Sequence, residues 1–206
     1  MAIDLRELLA PATTAVLTME LQRGVVGDRA AIRPLADEVA ARHVVDQAAT
    51  VVDAARRAGA GVVHCVAEFR TDRAGSNDNA PLLHVLAAGE PNLIVGTDSV
   101  DLVPEVGPAP SDLVARRRHG LTPFPGTDLD QMLRNLGVCT IVATGVSVNI
   151  GIAGLVMVGV DLGYRCAVVT DAVAGVPRDY ADAMLQHTLA PLATLVTAAD
   201  VVAAWS

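Results

Sequence analysis

Residues 140–151 read TIVATGVSVNIG, and this stretch decides the fold class. Its first four residues are apolar or β-branched, which is typical of a buried strand. Residues 144–151 follow as a tight turn, and an apolar run then continues as far as Val160. The stretch therefore predicts a strand, a turn and a helix in direct succession.

The same alternation extends along the chain in both directions. Short apolar runs predict six strands, at residues 14–19, 61–66, 112–115, 139–143, 165–170 and 193–197. Apolar spacing predicts helices at about residues 34–58, 126–136, 149–162 and 179–192. Apolar strands that alternate with helices indicate a parallel sheet covered on both faces. We therefore expect an α/β protein with a three-layer α/β/α Rossmann-like fold and a six-stranded, mostly parallel sheet.

The chain length fits one domain spanning residues 1–206, with a loop-rich insertion at about residues 71–111. The net charge of −8 argues against nucleic acid as a partner, because a phosphate backbone needs a basic surface. The longest apolar stretch, residues 150–160, falls short of the roughly 18 residues of a membrane span, so we expect no membrane partner. The N-terminal residues are charged and lack the apolar core of a signal peptide, which favours a cytoplasmic protein.

Ligands of doubly wound sheets bind at the carboxyl ends of the strands, so the residues that follow each strand are the candidates for a site. Those residues are Glu20, Gln22, Glu68, Arg70, Arg117, Arg118, His119, residues 147–151 and Asp171.

Four segments that contain or adjoin these strand-end residues together resemble the isochorismatase-like hydrolase superfamily, and the resemblance covers residues 12–200. The strongest matches are GLTPFPGTDL at residues 120–129 and TGVSVNIG at residues 144–151. Residues 18–22 and the segment from Gly163 to Ala172 support them. The resemblance implies a hydrolase of a small molecule, with no cofactor and no metal.

The resemblance also implies where catalytic residues lie. The usual set of the superfamily is an aspartate, a lysine and a cysteine, and its positions hold Glu20, Arg118 and Gly151 here. Counting back from Thr122 selects Arg118 among three consecutive arginines, with an uncertainty of one residue. Gly151 removes the thiolate nucleophile, and the pair Ile150-Gly151 is similar to true isochorismatases, which hydrolyse a vinyl ether without covalent catalysis.

Each position has a chemical role in this reading. Glu20 could donate the proton that vinyl ether hydrolysis needs if burial raises its pKa. Alternatively, Glu20 is a structural carboxylate paired with Arg118 or Arg70. Arg118 could clamp a substrate carboxylate, and the resemblance gives Arg70 the same role. The backbone amides of Ile150 and Gly151 begin a helix and could bind an oxyanion.

Other candidates for contact with substrate are Gln22, Leu121, Phe124 and Ser147. The resemblance further implies a cis peptide around Val146-Ser147. We expect a homo-oligomer, because the helix at residues 150–160 is apolar nearly all round and must be covered on both sides.

Two functions remain open at this point. The first is a cofactor-independent hydrolase of a small anionic substrate that acts without a cysteine nucleophile. The second is a catalytically inactive relative that serves as a small-molecule binder or as a structural subunit.

Overall fold

Six parallel strands form one sheet through the middle of the computed structural model, which describes residues 3–90 and 92–206. The strands are β1 (Thr14–Met19), β2 (Gly61–Ala67), β3 (Leu113–Arg117), β4 (Thr140–Val146), β5 (Arg165–Ala174) and β6 (Thr194–Val196). They lie in the order β3-β2-β1-β4-β5-β6, and every neighbouring pair is parallel. The predicted fold is confirmed, and all the described strands of the sheet are parallel.

Helices cover both faces of this sheet. They are α1 (Leu5–Leu8), α2 (Arg33–Ala41), α3 (Val44–Ala58), α4 (Pro81–Ala88), α5 (Leu129–Asn135), α6 (Ala153–Asp161), α7 (Arg178–Met184) and α8 (Ala198–Ala204). Helices α1, α2, α3 and α8 pack on one face, and α5, α6 and α7 pack on the other. Helix α4 contributes no buried residue to either layer.

The two cores follow from the alternation of side chains along each strand. In β1, Val16 belongs to the core beneath α3, whereas Ala15, Leu17 and Met19 belong to the core beneath α6. Because every residue of β1 is buried on one face or the other, its sequence is largely apolar and does not alternate with exposed polar residues.

The single helix predicted at residues 34–58 is wrong, because the structure divides it into α2 and α3. His43 has a φ of 54°, in the left-handed region, and so interrupts the helical backbone between Ala41 and Val44. The apolar spacing continues across this break, since both helices pack on the same face of the sheet. The apolar spacing therefore did not predict the break between α2 and α3.

Residues 71–111 contain α4 and two short 3-10 turns, Asp98–Val100 and Pro104–Val106. This segment is tied to the ends of the first two strands, since Gln22 bridges Leu102 and Phe69 bridges Ile94. It therefore lies over the carboxyl edge of the sheet. None of the helices in the described ranges has both the length and the apolar character that crossing a membrane requires.

Candidate active site

A cavity of about 320 Å³ opens at the carboxyl edge of the sheet, beside the ends of β1 and β4. The order of the strands reverses between these two neighbours, which is where ligands of such sheets bind. The polar residues that line the cavity are Glu20, Asn92, Arg117, Ser147 and Asn149.

Glu20 directly follows β1 and has a φ of 53°, in the left-handed region. That conformation costs a residue with a side chain roughly 1–2 kcal/mol. It is held by the Glu20 N–H, which donates to the carbonyl of Cys65 at 2.9 Å. Strained backbone that the surrounding structure enforces is concentrated at functional sites, so the conformation of Glu20 supports a role for this residue.

Arg117 is the basic residue that faces Glu20. Its guanidinium donates to Glu20 Oε1 and to the carbonyl of Gly120. The Arg117 side chain is 7% exposed and that of Glu20 is 19% exposed, so the ion pair is largely shielded from water. Burial lowers the pKa of Arg117 to about 10, which still leaves it charged at neutral pH.

Arg118, the residue that the sequence favoured, lies elsewhere. Its side chain is 62% exposed, and it donates to Glu68 Oε1 at 3.3 Å, outside the cavity. Successive residues of a strand point to opposite faces, and Arg117 shares its face with Leu113 and Ala115 of β3. Arg117, one residue before Arg118 and within the one-residue uncertainty of the count back from Thr122, is therefore the arginine that faces the cavity.

Three other candidates for substrate contact also lie outside the cavity lining. Arg70 is exposed and forms two hydrogen bonds to Asp72, at 2.8 and 2.7 Å. Gln22 is fully buried, and its amide exchanges hydrogen bonds with the N–H and the carbonyl of Ala67 at 2.8 and 2.9 Å. Gln22 thus joins the end of β2 to the segment after β1, which is a structural task.

The third of these residues is Phe124. It is buried in the core beneath α6, where its ring stacks on Tyr164 with centroids 6.2 Å apart. The motif at residues 120–129 thus serves two purposes, since Leu121 does line the cavity while Phe124 anchors the loop to the core.

The turn after β4 brings Ser147, Ile150 and Gly151 to the cavity wall. The Val146–Ser147 peptide is cis, as expected. Val148–Ile152 then forms a π-helical turn that leads into α6. Within this turn the N–H of Ile150 donates to the carbonyl of Ser147 at 3.2 Å. That amide is therefore engaged inside the protein rather than directed at an oxyanion.

Gly151 lies where a side chain has no room. A Cβ atom added there would lie 2.8 Å from the carbonyl oxygen of Val146 and 3.1 Å from the Met19 methyl carbon. The first contact is with backbone, which cannot swing aside as a side chain can. The glycine is thus required by the packing of the turn, and a cysteine could not replace it without a backbone shift.

A second buried polar array links three strands away from the cavity. Thr18 Oγ1 lies 2.8 Å from His64 Nδ1, and His64 Nε2 lies 3.2 Å from Asp112 Oδ2. Arg56 also donates to Asp112. The His64 and Asp112 side chains are 0% and 1% exposed, so substrate cannot reach this array. It has the order of a hydroxyl, histidine and carboxylate triad, yet its place in the core makes it structural.

The remaining histidine of interest, His119, does not line the cavity either. Its ring packs against Gly126, where an added Cβ would lie 2.3 Å from Cε1.

Within residues 3–90 and 92–206, no group of three or more His, Cys, Asp or Glu side chains has an arrangement that could hold a metal ion. The chain contains no lysine, so arginine supplies the positive charge at the end of β3.

Most of the cavity wall is apolar and was not predicted. It comes from the loop before α2, the start of α2, and the inner side of α4. The main contributors are Val25, Ile32, Leu35, Leu82, Leu83 and Leu86. The apolar sequence of residues 81–88 was a signal for α4, but nothing in it placed this helix over the sheet edge.

Comparisons with known proteins agree with this geometry. A sequence profile of the isochorismatase domain matches residues 14–200. The chain is 40% identical over 78 residues to YwoC, an uncharacterised isochorismatase family protein of Bacillus subtilis (strain 168). This match spans 37% of the chain and 40% of YwoC.

Two solved structures resemble nearly the whole chain. An isochorismatase family protein from Burkholderia thailandensis has a TM-score of 0.77 and 28% identity, over 94% of this chain and 96% of that one. An isochorismatase family protein from Desulfovibrio vulgaris has a TM-score of 0.79 and 26% identity, over 93% and 98% of the two chains.

Proposed function

This chain belongs to the isochorismatase family, and from that premise we propose that it is a hydrolase of a small molecule in which Glu20, rather than a cysteine thiolate, carries the central proton transfer. The observation that supports this most is the position of Glu20. Its carboxylate is held by Arg117 in the wall of a cavity at the carboxyl edge of the sheet.

The ion pair with Arg117 stabilises the charged form of the Glu20 carboxylate, which is the form that can accept a proton. We propose that the ionised carboxylate takes a proton from a water molecule as the water oxygen bonds to the substrate. The same proton then passes to the departing group as its bond to the substrate breaks. Glu20 ends the cycle as a carboxylate, and Arg117 keeps it oriented throughout.

Ser147 lines the same cavity, and we propose that its hydroxyl donates a hydrogen bond to the substrate oxygen that gains charge. Proton donation by Glu20 to the alkene carbon of a vinyl ether, the role that the sequence suggested, is a different step that requires the neutral acid. The ion pair favours proton acceptance instead, because a neighbouring guanidinium stabilises the charged carboxylate over the neutral acid.

The expectation that the substrate is an anion depended on Arg70 and Arg118 as its binding residues. Both side chains lie outside the cavity and are engaged by Asp72 and Glu68. Arg117 is the one positive side chain among the described lining residues, and Glu20 already neutralises it. The proposal of a hydrolase therefore no longer includes a preference for anions.

A binding protein without turnover is the second candidate. It is favoured by the ion pair itself, because a carboxylate held by an arginine can be purely structural. The presence of a cavity that reaches both partners favours the hydrolase instead.

The test replaces Glu20 and compares it with a matched carboxylate. Glu20→Gln keeps the size of the side chain and can still accept a hydrogen bond from Arg117. Glu68→Gln changes a buried carboxylate that also pairs with an arginine but lies outside the cavity. Both variants and the wild type are assayed by mass spectrometry on isochorismate and on a panel of small esters and amides.

We expect the Glu20→Gln variant to lose at least about 100-fold in turnover, while the Glu68→Gln variant stays within a few-fold of wild type. Circular dichroism confirms that both are folded. Equal activity of Glu20→Gln and wild type would remove Glu20 from the mechanism. Ligand-dependent stabilisation without turnover of any substrate would favour the binding protein.

We also propose that the chain self-associates through the outer side of α6. Met157 and Val160 of this helix and Leu162 after it are exposed, at 44%, 38% and 36%. Adjacent exposed apolar side chains of this kind are typical of a contact with another protein surface.

A further inference from the structure

We propose that the cavity takes an uncharged, mostly aliphatic molecule whose polar end lies against Glu20. This substrate class rests on the proposed hydrolase function, because it concerns the same site. Three properties of the cavity carry it, namely its balance of charge, the composition of its wall and its volume.

The charged groups of the cavity cancel. Glu20 and Arg117 are the acidic and basic residues of its described lining, and they pair with each other. A carboxylate ligand would lie beside the Glu20 carboxylate and would leave water without gaining a cation of its own, which is costly. An uncharged polar group avoids that cost and can still exchange hydrogen bonds with Glu20 and Ser147.

Arg73 lines a depression next to the cavity but is not part of the cavity lining. Its guanidinium lies 4.1 Å from the centre of the Phe69 ring and donates to the carbonyl of Asn92 at 3.3 Å. The depression that Arg73 lines shares Phe69, Leu83 and Leu86 with the cavity. Arg73 is thus engaged by Phe69 and Asn92 behind the cavity wall.

The wall opposite Glu20 suits an aliphatic body. Helix α4 presents Leu82, Leu83 and Leu86 to the cavity, Ile32 directly precedes α2, and Leu35 lies in its first turn. Their side chains supply methyl and methylene groups but no hydrogen-bond partner. Each ligand methylene buried against them is expected to tighten binding about fourfold.

The volume limits the length of the ligand. At roughly 30 Å³ for each water-sized group, the cavity of about 320 Å³ holds on the order of ten non-hydrogen atoms. Octanamide and octanoate both have this size, and they differ in charge but hardly in shape. They are therefore the matched pair of probes that separates the charge of a ligand from its apolar body.

The experiment measures the binding of octanamide, octanoate and butanamide by isothermal titration calorimetry at pH 7.5. We expect octanamide to bind at least about tenfold more tightly than octanoate, because the carboxylate pays for its desolvation. We expect it to bind about 250-fold more tightly than butanamide, which lacks four methylenes. Tighter or equal binding of octanoate, or no binding of octanamide, would overturn the proposed class.

Two variants of α4 test whether the cavity is the binding site. Leu86 lines the cavity, whereas Val85 on the same helix does not and is 67% exposed. Leu86→Asp should weaken octanamide binding at least about tenfold, and Val85→Asp should leave it unchanged. Because α4 contains no buried residue, neither change threatens the fold. Equal effects of the two variants would contradict binding in this cavity.

Turnover separates this inference from the hydrolase function. Mass spectrometry of the same mixtures follows the conversion of octanamide and water to octanoate and ammonium. Binding without conversion would count against hydrolysis of this amide while upholding the ligand class. Conversion of isochorismate that Glu20→Gln abolishes, together with no binding of octanamide, would uphold the hydrolase and overturn the ligand class.

Discussion

At the scale of single residues, the site depends on a carboxylate and a guanidinium that come from different strands. Glu20 follows β1 and Arg117 ends β3, and β2 lies between these two strands. Both long side chains reach across the end of β2 to meet. A residue held in a strained conformation and bound to a largely buried arginine is poorly explained by packing alone, which is why we give Glu20 the chemical role.

Replacing Arg117 should therefore cost far more than replacing its neighbour. Arg117→Gln leaves Glu20 without its cation in a shielded site, and we expect it to lower the free energy of unfolding by about 3 kcal/mol. Arg118→Gln removes an exposed ion pair with Glu68 and should cost less than about 1 kcal/mol. Urea unfolding followed by circular dichroism measures both.

The rate of turnover of any accepted substrate is a second measurement that compares the same two variants. It should fall sharply for Arg117→Gln and stay close to wild type for Arg118→Gln. Similar losses in the two variants, in stability and in turnover, would contradict the assignment of Arg117 to the site.

The sequence predicted the position of Glu20 but not its partner. A carboxylate directly after a buried strand is visible in the pattern, since residues 15–19 of β1 are apolar apart from Thr18. The choice among three consecutive arginines depends on which face each one occupies. Leu113 and Ala115 mark the inner face of β3, and only the paired strands show that this face continues to Arg117.

At the scale of elements, the strands carry polar cross-links that the apolar pattern concealed. Thr18 in β1, His64 in β2 and Asp112 just before β3 form a chain of hydrogen bonds inside the core. For Nε2 of His64 to donate to Asp112, Nδ1 must accept from the Thr18 hydroxyl, so the neutral tautomer is fixed by its neighbours. The strands were predictable from apolar runs, although β3, β4 and β5 extend beyond their predicted ends. These contacts depend on register and were not predictable.

This array should make stability depend on pH. Burial lowers the pKa of His64 below its usual value of about 6.5, and this effect outweighs the opposing influence of Asp112. The unfolded chain therefore takes up a proton below about pH 6.5 while the folded protein does not. The free energy of unfolding should fall as the pH drops through this range, by up to about 1.4 kcal/mol per pH unit.

Asp112 affects the dependence of stability on pH only at lower pH than His64 does. Burial tends to raise its pKa, but hydrogen bonds from Arg56, the Ala109 amide and His64 outweigh burial and lower it. Its stabilising effect is therefore lost only as the pH falls below about 3.8. The slope between pH 5 and 6.5 should thus belong to His64.

Guanidinium titrations between pH 5 and 8 measure this slope. His64→Gln should flatten it, whereas His43→Gln should not, because the His43 side chain is 74% exposed. An unchanged slope in the His64→Gln variant would show that other groups control the dependence.

At the scale of the whole molecule, the reversal of strand order between β1 and β4 places the site, and the segments outside the sheet decide what the site accepts. The doubly wound order follows from alternating strands and helices, so the sequence could predict the fold and the edge where the residues gather. The apolar wall joins Val25, Ile32 and Leu35 with Leu82, Leu83 and Leu86, which no periodicity connects. The expectation of an anionic ligand rested on Arg70 and Arg118, which lie outside the cavity lining, whereas the paired Arg117 lines it.

The exposed apolar surface of α6 predicts that the molecule associates with a second copy. Helix α6 is covered by the sheet on its inner side, but Met157, Val160 and Leu162 leave an apolar surface on its outer side. A second copy can cover this surface about a twofold axis, which is the commonest symmetry of soluble oligomers. We therefore expect light scattering at micromolar concentration to report twice the chain mass of 21.3 kDa.

A charge placed on either of two apolar positions tests which surface forms the contact. Val160→Glu should give the mass of a single chain, because a carboxylate buried between two copies would have no cation to pair with. Val85→Glu places the same charge on α4, at a residue that is 67% exposed, and should leave the dimer intact. Dissociation by the second variant but not the first would move the interface from α6 to the helix that covers the cavity, and the two copies would then close the site between them.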